Sequence, residues 1–453
     1  MDHDAQHDEQ ACRIDRGRVA ALADERTGWQ HKAIPPELWG LSVAEVRERR
    51  PRLSELSTPL LTLSRASLDH NVRAMEDWCT ARGLAIAPHG KTTMAPQLWS
   101  ELLDAGAWAI TVANASQLAV ARAFGVTRVL VANTLISPAA LRWVADELAD
   151  DHDLRVLVWA DSPTTVDLMH ETLSAHVADA GPRPPLDVLV ERGGAGGRTG
   201  ARDEATALAA AQRVAASPHL RLAGVAGYEG ALAHDSDPHS RDVVVAYLRD
   251  LLAAHVQIEA AGLYEVDAPI VSAGGSAFFD LVDEVLSPLA GTGARVVLRS
   301  GAYQVHDDGH YRHVSALGEE PRTDGTGLRA AMHAWVRVTS QPEPGLALFD
   351  AGKRDLPFDE GLPRVQRRWP RQDEDGVGLA PVDGVTVTAV NDQHGFLRWD
   401  ATGAKEPPVR IGDVLRLGLS HPCTAMDKWA LVPVVDDADA ADPVVVDLVR
   451  TFF

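Results

Sequence analysis

The chain has 453 residues, 45% of them hydrophobic, and a formal net charge of −21. That length exceeds one ordinary compact core and predicts a large barrel plus a second domain. The acidic balance, with no basic stripe to offset it, argues against a nucleic-acid partner.

Three widely spaced cysteines, Cys12, Cys79 and Cys423, do not make a disulfide framework. Residues Met1 to Gln10 are acidic and polar, without an apolar signal region, and no run of about 18 apolar residues occurs. The expectation is a protein with no membrane span and, by default, a cytoplasmic location.

Residues 1 to about 50 are charged and weakly patterned and read as an extension without chemistry. Thr58–Leu63 reads as a strand, and residues 67–82 as a helix with Leu68, Val72 and Met75 on one face. From Leu84 the pattern becomes regular. Short β-rich runs occur at 84–87, 108–113, 128–132, 155–160, 186–191, 222–228, 269–273 and 295–299. Helical periodicity fills the gaps, over 96–105, 116–124, 138–148, 163–176, 204–216, 242–261 and 277–286. Eight strands alternating with helices predict a (β/α)8 TIM-type barrel. A doubly wound open sheet is the alternative, but no GxGxxG follows the first strand.

After about residue 320 helical periodicity ends. Runs at 336–340, 345–350, 385–390, 409–419 and 431–435 read as strands, and 319–327 and 364–378 as loops. The chain thus divides into an N-terminal extension over 1–57, a barrel over 58–320 and an all-β C-terminal domain over 321–453. The segment 58–66 is free to pair with that β domain.

Barrel enzymes build their sites at the C-terminal ends of the strands. The first strand ends in Pro88-His89-Gly90-Lys91-Thr92-Thr93. Lys91 is either a solvated surface group or an amine whose pKa is lowered in a pocket, able to form a Schiff base. The fifth strand ends in a glycine-rich loop carrying Arg192 and Arg198, the sixth in Gly227-Tyr228-Glu229-Gly230. The seventh ends in Ser272-Ala273-Gly274-Gly275-Ser276, the eighth in Arg299-Ser300-Gly301-Ala302-Tyr303. Alone, Ser272–Ser276 is a plain turn. At the seventh strand, followed by a helix N-terminus, it suits a phosphate. A lysine amine and a phosphate cradle in one barrel mouth suggest pyridoxal 5′-phosphate. Arg198 or Arg192 would face its ring, and Tyr228 and His89 would pack against it.

A second cluster lies in the β domain, at Ser420-His421-Pro422-Cys423-Thr424. His421 and Cys423, at i and i+2, point to one side of an extended backbone and fit one zinc. A satisfied histidine beside a buried thiol is the plainer alternative. His394 reads as a turn residue.

Pro88-His89-Gly90-Lys91-Thr92 resembles the lysine motif of the D-serine dehydratase and D-threonine aldolase family of fold-type III pyridoxal-phosphate enzymes. Gly227–Gly230, Ser272–Gly275, Gly301–Tyr303, Asp350–Gly352 and His421–Cys423 resemble its later blocks in order, from about Thr58 to Trp429. The resemblance implies an alanine-racemase-like barrel with a C-terminal β domain, a homodimer, and a small D-amino acid as substrate. It implies Lys91 as the Schiff-base lysine. The cofactor contacts expected at the strand ends are His89, Arg198, Tyr228, Ser272, Gly274, Gly275, Ser276 and Tyr303, and the resemblance implies His421 and Cys423 as ligands of a divalent metal, zinc or else manganese. His-x-Cys resembles the zinc-dependent dehydratases, whereas the aldolases carry Asp at the second place. D-serine dehydration is therefore the first expectation and D-threonine retro-aldol cleavage the second. A racemase or a non-catalytic cofactor carrier ranks lower. All five tyrosines lie before residue 312, so the β domain offers no second base.

Overall fold

The computed structural model of the chain describes residues 10–369, 379–402 and 406–453. The first strand, β1 (Leu60–Ser64), precedes the barrel. The barrel strands are β2 (Ala85–Ile86), β3 (Ile110–Val112), β4 (Arg128–Thr134), β5 (Arg155–Ala160), β6 (Leu186–Arg192), β7 (Leu220–Gly227), β8 (Ile270–Ala273) and β9 (Arg295–Leu298). They form one parallel sheet in the order β2-β9-β8-β7-β6-β5-β4-β3. Its two ends meet. The Trp108 amide donates to the Ile86 carbonyl at 2.7 Å and the Thr111 amide to the Pro88 carbonyl at 2.9 Å, with a parallel bridge between His89 and Thr111. The ring closes, and the open-sheet alternative falls.

Strands buried on both faces need continuous apolar runs, and β5 is buried along its whole length. The inner face packs Ala87, Trp108, Leu130, Leu157, Trp159 and Leu189 into a barrel core. The outer face packs under the helices. Several helices start at side-chain caps that satisfy their first amides. Asn114 accepts from the Gln117 amide, Ser162 from Thr165, Asp203 from Thr206 and Asp237 from Ser240.

The C-terminal strands among the described residues are β10 (Met332–Glu343), β11 (Leu346–Phe349), β12 (Arg364–Trp369), β13 (Ala380–Pro381), β14 (Thr386–Val390), β15 (Gly395–Arg398), β16 (Val414–Gly418), β17 (Leu431–Val435) and β18 (Val445–Arg450). β1 joins them, antiparallel to β10 with Leu60 opposite Trp335, and parallel to β17 with Leu63 opposite Val434. The chain therefore begins a strand in the β domain, passes through the barrel and returns. A strand in the interior of the C-terminal sheet thus comes from the chain before the barrel.

Two expectations change. Residues 364–369 are not loop but β12, paired to β16 from Arg364↔Gly418 to Trp369↔Val414. Its sequence, Arg-Val-Gln-Arg-Arg-Trp, has half-buried positions carrying charge, so it shows no apolar alternation. The rest of that predicted loop, 370–378, lies outside the described residues. The extension is also more than a charged tail. Ile34, Leu38, Val43 and Val46 are buried against Trp335 and Leu431, and Cys12 and Ile14 join the barrel's outer core. Among the described residues no helix is long and apolar enough to cross a membrane.

Candidate active site

A cavity of about 460 Å³ opens at the C-terminal mouth of the barrel, where the β domain meets it. His89, Lys91, Arg198, Tyr228, Gly275, Ser276, His421 and Cys423 all line it. Residues more than 300 positions apart thus share one wall. The Cys423 Sγ lies 3.5 Å from the Thr92 Oγ1, next to Lys91.

Lys91 follows β2 in a short 3-10 turn, Gly90–Thr92. Burial lowers its pKa, and the Arg198 and Arg299 cations lower it further while Cys423 opposes. The amine is thus closer to its neutral, nucleophilic form than a surface lysine. His89 is held well below the usual imidazole range by burial and by Lys91 and Arg299, so it is neutral. Gly301 brings the loop after β9 against His89. A Cβ there would sit 2.6 Å from the His89 carbonyl oxygen, so only glycine fits.

Two arginines were candidates for the ring, and the structure separates them. Arg192 spends one terminal nitrogen on the Ala201 carbonyl at 2.7 Å and the other on Asp250 at 3.1 Å. Arg198 is exposed in the cavity, 5.1 Å over the Tyr228 ring. Arg299 is a third, missed in the sequence. It is 4% exposed and lines the cavity. It donates to Ser272 Oγ at 2.6 Å and to the Gly227 carbonyl, and lies 4.9 Å over the Trp159 ring.

Three expected contacts move away from the cavity. Ser272 is fully buried, and its hydroxyl donates to the Val297 carbonyl at 2.9 Å while accepting from Arg299. It holds an arginine, not a phosphate. The Gly274 amide is taken by the Glu229 carboxylate at 3.1 Å. Tyr303 packs in the outer barrel core, where burial pushes its hydroxyl far above the usual range. Gly301 and Ala302 line the cavity, whereas the Tyr303 ring turns away from it into the core under the helices. Ser276 remains, with its Oγ accepting from the Gly301 amide at 3.3 Å and the Ala302 amide at 3.0 Å. His394 is exposed in the β14–β15 turn, as read.

Several polar atoms around the cavity are buried without a hydrogen-bond partner, among them His89 Nδ1, Trp159 Nε1 and Glu191 Oε2. Each such group is costly unless something else satisfies it. Together with the lysine and the Ser276 hydroxyl they fit a flat, polar, phosphorylated ring.

Burial raises the Glu191 carboxyl to about 7, although Thr199 donates to its other oxygen at 2.8 Å. The folded chain therefore binds this proton more tightly than the unfolded one. The resulting stability is full below pH 4.5 and is lost as pH rises through about 7. Between those limits, unfolding free energy should fall by about 3 kcal/mol more in the wild type than in Glu191→Gln. Urea midpoints of the cofactor-free proteins across that window check it.

The metal pair is also well organised. His421 adopts φ +53, a left-handed conformation that non-glycine residues seldom hold outside sites that demand it. Its amide donates to Asp307 at 2.8 Å, and its Nδ1 lies 2.6 Å from Asp359, which also accepts from Thr424 at 2.7 Å. A carboxylate on Nδ1 leaves Nε2 as the donor for a metal. Burial would lower His421, but Cys423 and Asp359 outweigh it and hold it at about 9; Cys423 is lowered in turn, despite burial, by His421. A thiol and an imidazole ring side by side can both give up their protons to bind a divalent cation. No group of three or more candidate ligands occurs among the described residues.

A family model for the alanine racemase N-terminal domain matches residues 63–284, and one described as "Putative serine dehydratase domain" matches residues 331–435. The D-threonine aldolase of Arthrobacter sp. is 28% identical over 369 residues, covering 82% of this chain and 86% of that protein. The D-threo-3-hydroxyaspartate dehydratase of Delftia sp. (strain HT23) is 24% identical over 381 residues, covering 82% and 92%. The solved D-threonine aldolase of Filomicrobium marinum shares the fold with a TM-score of 0.70 at 23% identity, covering 89% and 97%. The chain thus carries an alanine racemase N-terminal domain match followed by a serine dehydratase domain match, and over most of its length it is similar to the aldolase and the dehydratase named above.

Proposed function

We propose that the chain is a metal-assisted lyase acting on D-3-hydroxy amino acids, with D-serine dehydration to pyruvate and ammonia as its reaction. The observation that carries this reading is the placement of His421 and Cys423 in the same cavity as Lys91. A β-hydroxyl and a Cα–H of one small substrate can then be served at once.

Bound at Lys91, the cofactor supplies an electron-withdrawing ring that makes bonds at Cα labile. Lys91, whose pKa burial lowers, is placed to accept the Cα proton when its amine is free. His421 and Cys423 would hold a zinc, or a manganese, that turns the β-hydroxyl into a better leaving group. Asp359 fixes the His421 ring for that task. Arg198, stacked on Tyr228, would face the ring, and the Ser276 hydroxyl, held by the Gly301 and Ala302 amides, would donate to the phosphate.

Retro-aldol cleavage is the second reading, favoured by the 28% identity to an aldolase. The same metal would then lower the pKa of the β-hydroxyl, and Cα–Cβ would break. Product analysis separates the two. With D-serine and zinc, pyruvate and ammonia should appear in equal amounts. Glycine and an aldehyde from D-threonine, without pyruvate from D-serine, would replace dehydration by the aldol reading.

A further inference from the structure

In the sequence, Gly274 and Gly275 look like an anion nest waiting for a phosphate. In the structure the chain fills that nest itself. The Gly274 amide donates to Glu229 Oε2 at 3.1 Å, and the Gly275 amide donates to Glu229 Oε1 at 2.6 Å. Gly274 adopts φ +91, which aims consecutive amides at one acceptor. Glu229 is 0% exposed. The buried Arg299 guanidinium stands beside this carboxylate.

The residue that follows this clamp is Ser276. Its hydroxyl lines the cavity and meets the Gly301 and Ala302 amides at 3.3 and 3.0 Å. The hydroxyl can stay there only while the turn before it is fixed. The turn is fixed by Glu229, a residue contributed by the neighbouring strand's loop and itself outside the cavity lining.

We propose that Glu229 is a positioning residue for the phosphate seat. It clamps the Gly274–Gly275 turn so that the Ser276 hydroxyl, whose oxygen accepts from the Gly301 and Ala302 amides, keeps its own proton free to donate to an anion in the cavity. It therefore governs affinity for the cofactor's phosphate and not for its ring. This rests on the pyridoxal-phosphate reading of the cavity.

The test compares two ligands that differ only by the phosphate. Cofactor-free wild type, E229A and E229Q are titrated with pyridoxal phosphate and with pyridoxal, reading visible absorbance and tryptophan fluorescence. E229A should weaken pyridoxal phosphate by about 10- to 100-fold, the factor expected when buried donors lose their acceptor. Pyridoxal affinity should change by less than about twofold, since no ring contact is touched. E229Q keeps one acceptor oxygen and should fall between. If E229A does not fold by circular dichroism, the same phosphate-selective loss in E229Q supports the proposal. Equal weakening of both ligands, or no weakening of either, overturns it. Failure of the wild type to bind pyridoxal phosphate would instead overturn the cofactor reading and leave Glu229 a clamp for an empty turn.

Discussion

Lys91→Met is expected to abolish the visible band that a lysine-bound cofactor gives and to lower turnover by about 10³-fold or more. Methionine keeps the length and most of the apolar stem but removes the amine. The fold should survive, because Lys91 is only half-buried and Trp99, Ile110 and Met94 supply the local packing. Two functions disappear at once, the covalent hold on the cofactor and the proton acceptor at Cα. Absorbance spectra and turnover with D-serine, both with added cofactor, check this. Turnover above about a tenth of wild type would remove Lys91 from the chemistry.

The second large effect lies on the metal side. Cys423→Ala removes one of two protein donors and should cost about 10²-fold or more in activity at limiting zinc. Part of that loss should return at high zinc, since His421 remains held by Asp359 and Asp307. Asp359→Asn is the milder companion. It leaves both donors but no longer fixes the His421 ring, so metal affinity should fall by about 10- to 100-fold. Metal titrations of the two variants rank them. Full activity of Cys423→Ala after exhaustive chelation would leave the His421–Cys423 pair a structural feature only.

Much of the fold was legible because a (β/α)8 barrel repeats its pattern. Strand β5 occupies the predicted 155–160, and the other barrel strands lie within about two residues of expectation. Strand ends placed Lys91, Tyr228 and Ser276 correctly at the mouth, since topology alone brings those ends together. What failed depends on side-chain direction and on partners distant in sequence. Ser272 has the residue type of a phosphate ligand, but it points into the barrel, where Arg299 claims it. Gly274 offers an amide, but a carboxylate 45 positions away reached it first. Arg299 and Glu191 were passed over because a charged residue at a strand end looks like any solvated charge until its burial is known. Asp359 lies in a stretch without periodicity, and only its contact with His421 reveals a role. Strand β12 was missed because its half-buried arginines carry no alternation.

The most direct measurement is borohydride reduction of the protein loaded with pyridoxal phosphate, followed by peptide mass mapping. A pyridoxyl-phosphate label on Lys91 is the predicted result, with little on Lys32, Lys353, Lys405 or Lys428. A label confined to one of those other lysines, or no label at all, would contradict the assignment of the barrel mouth as the cofactor site.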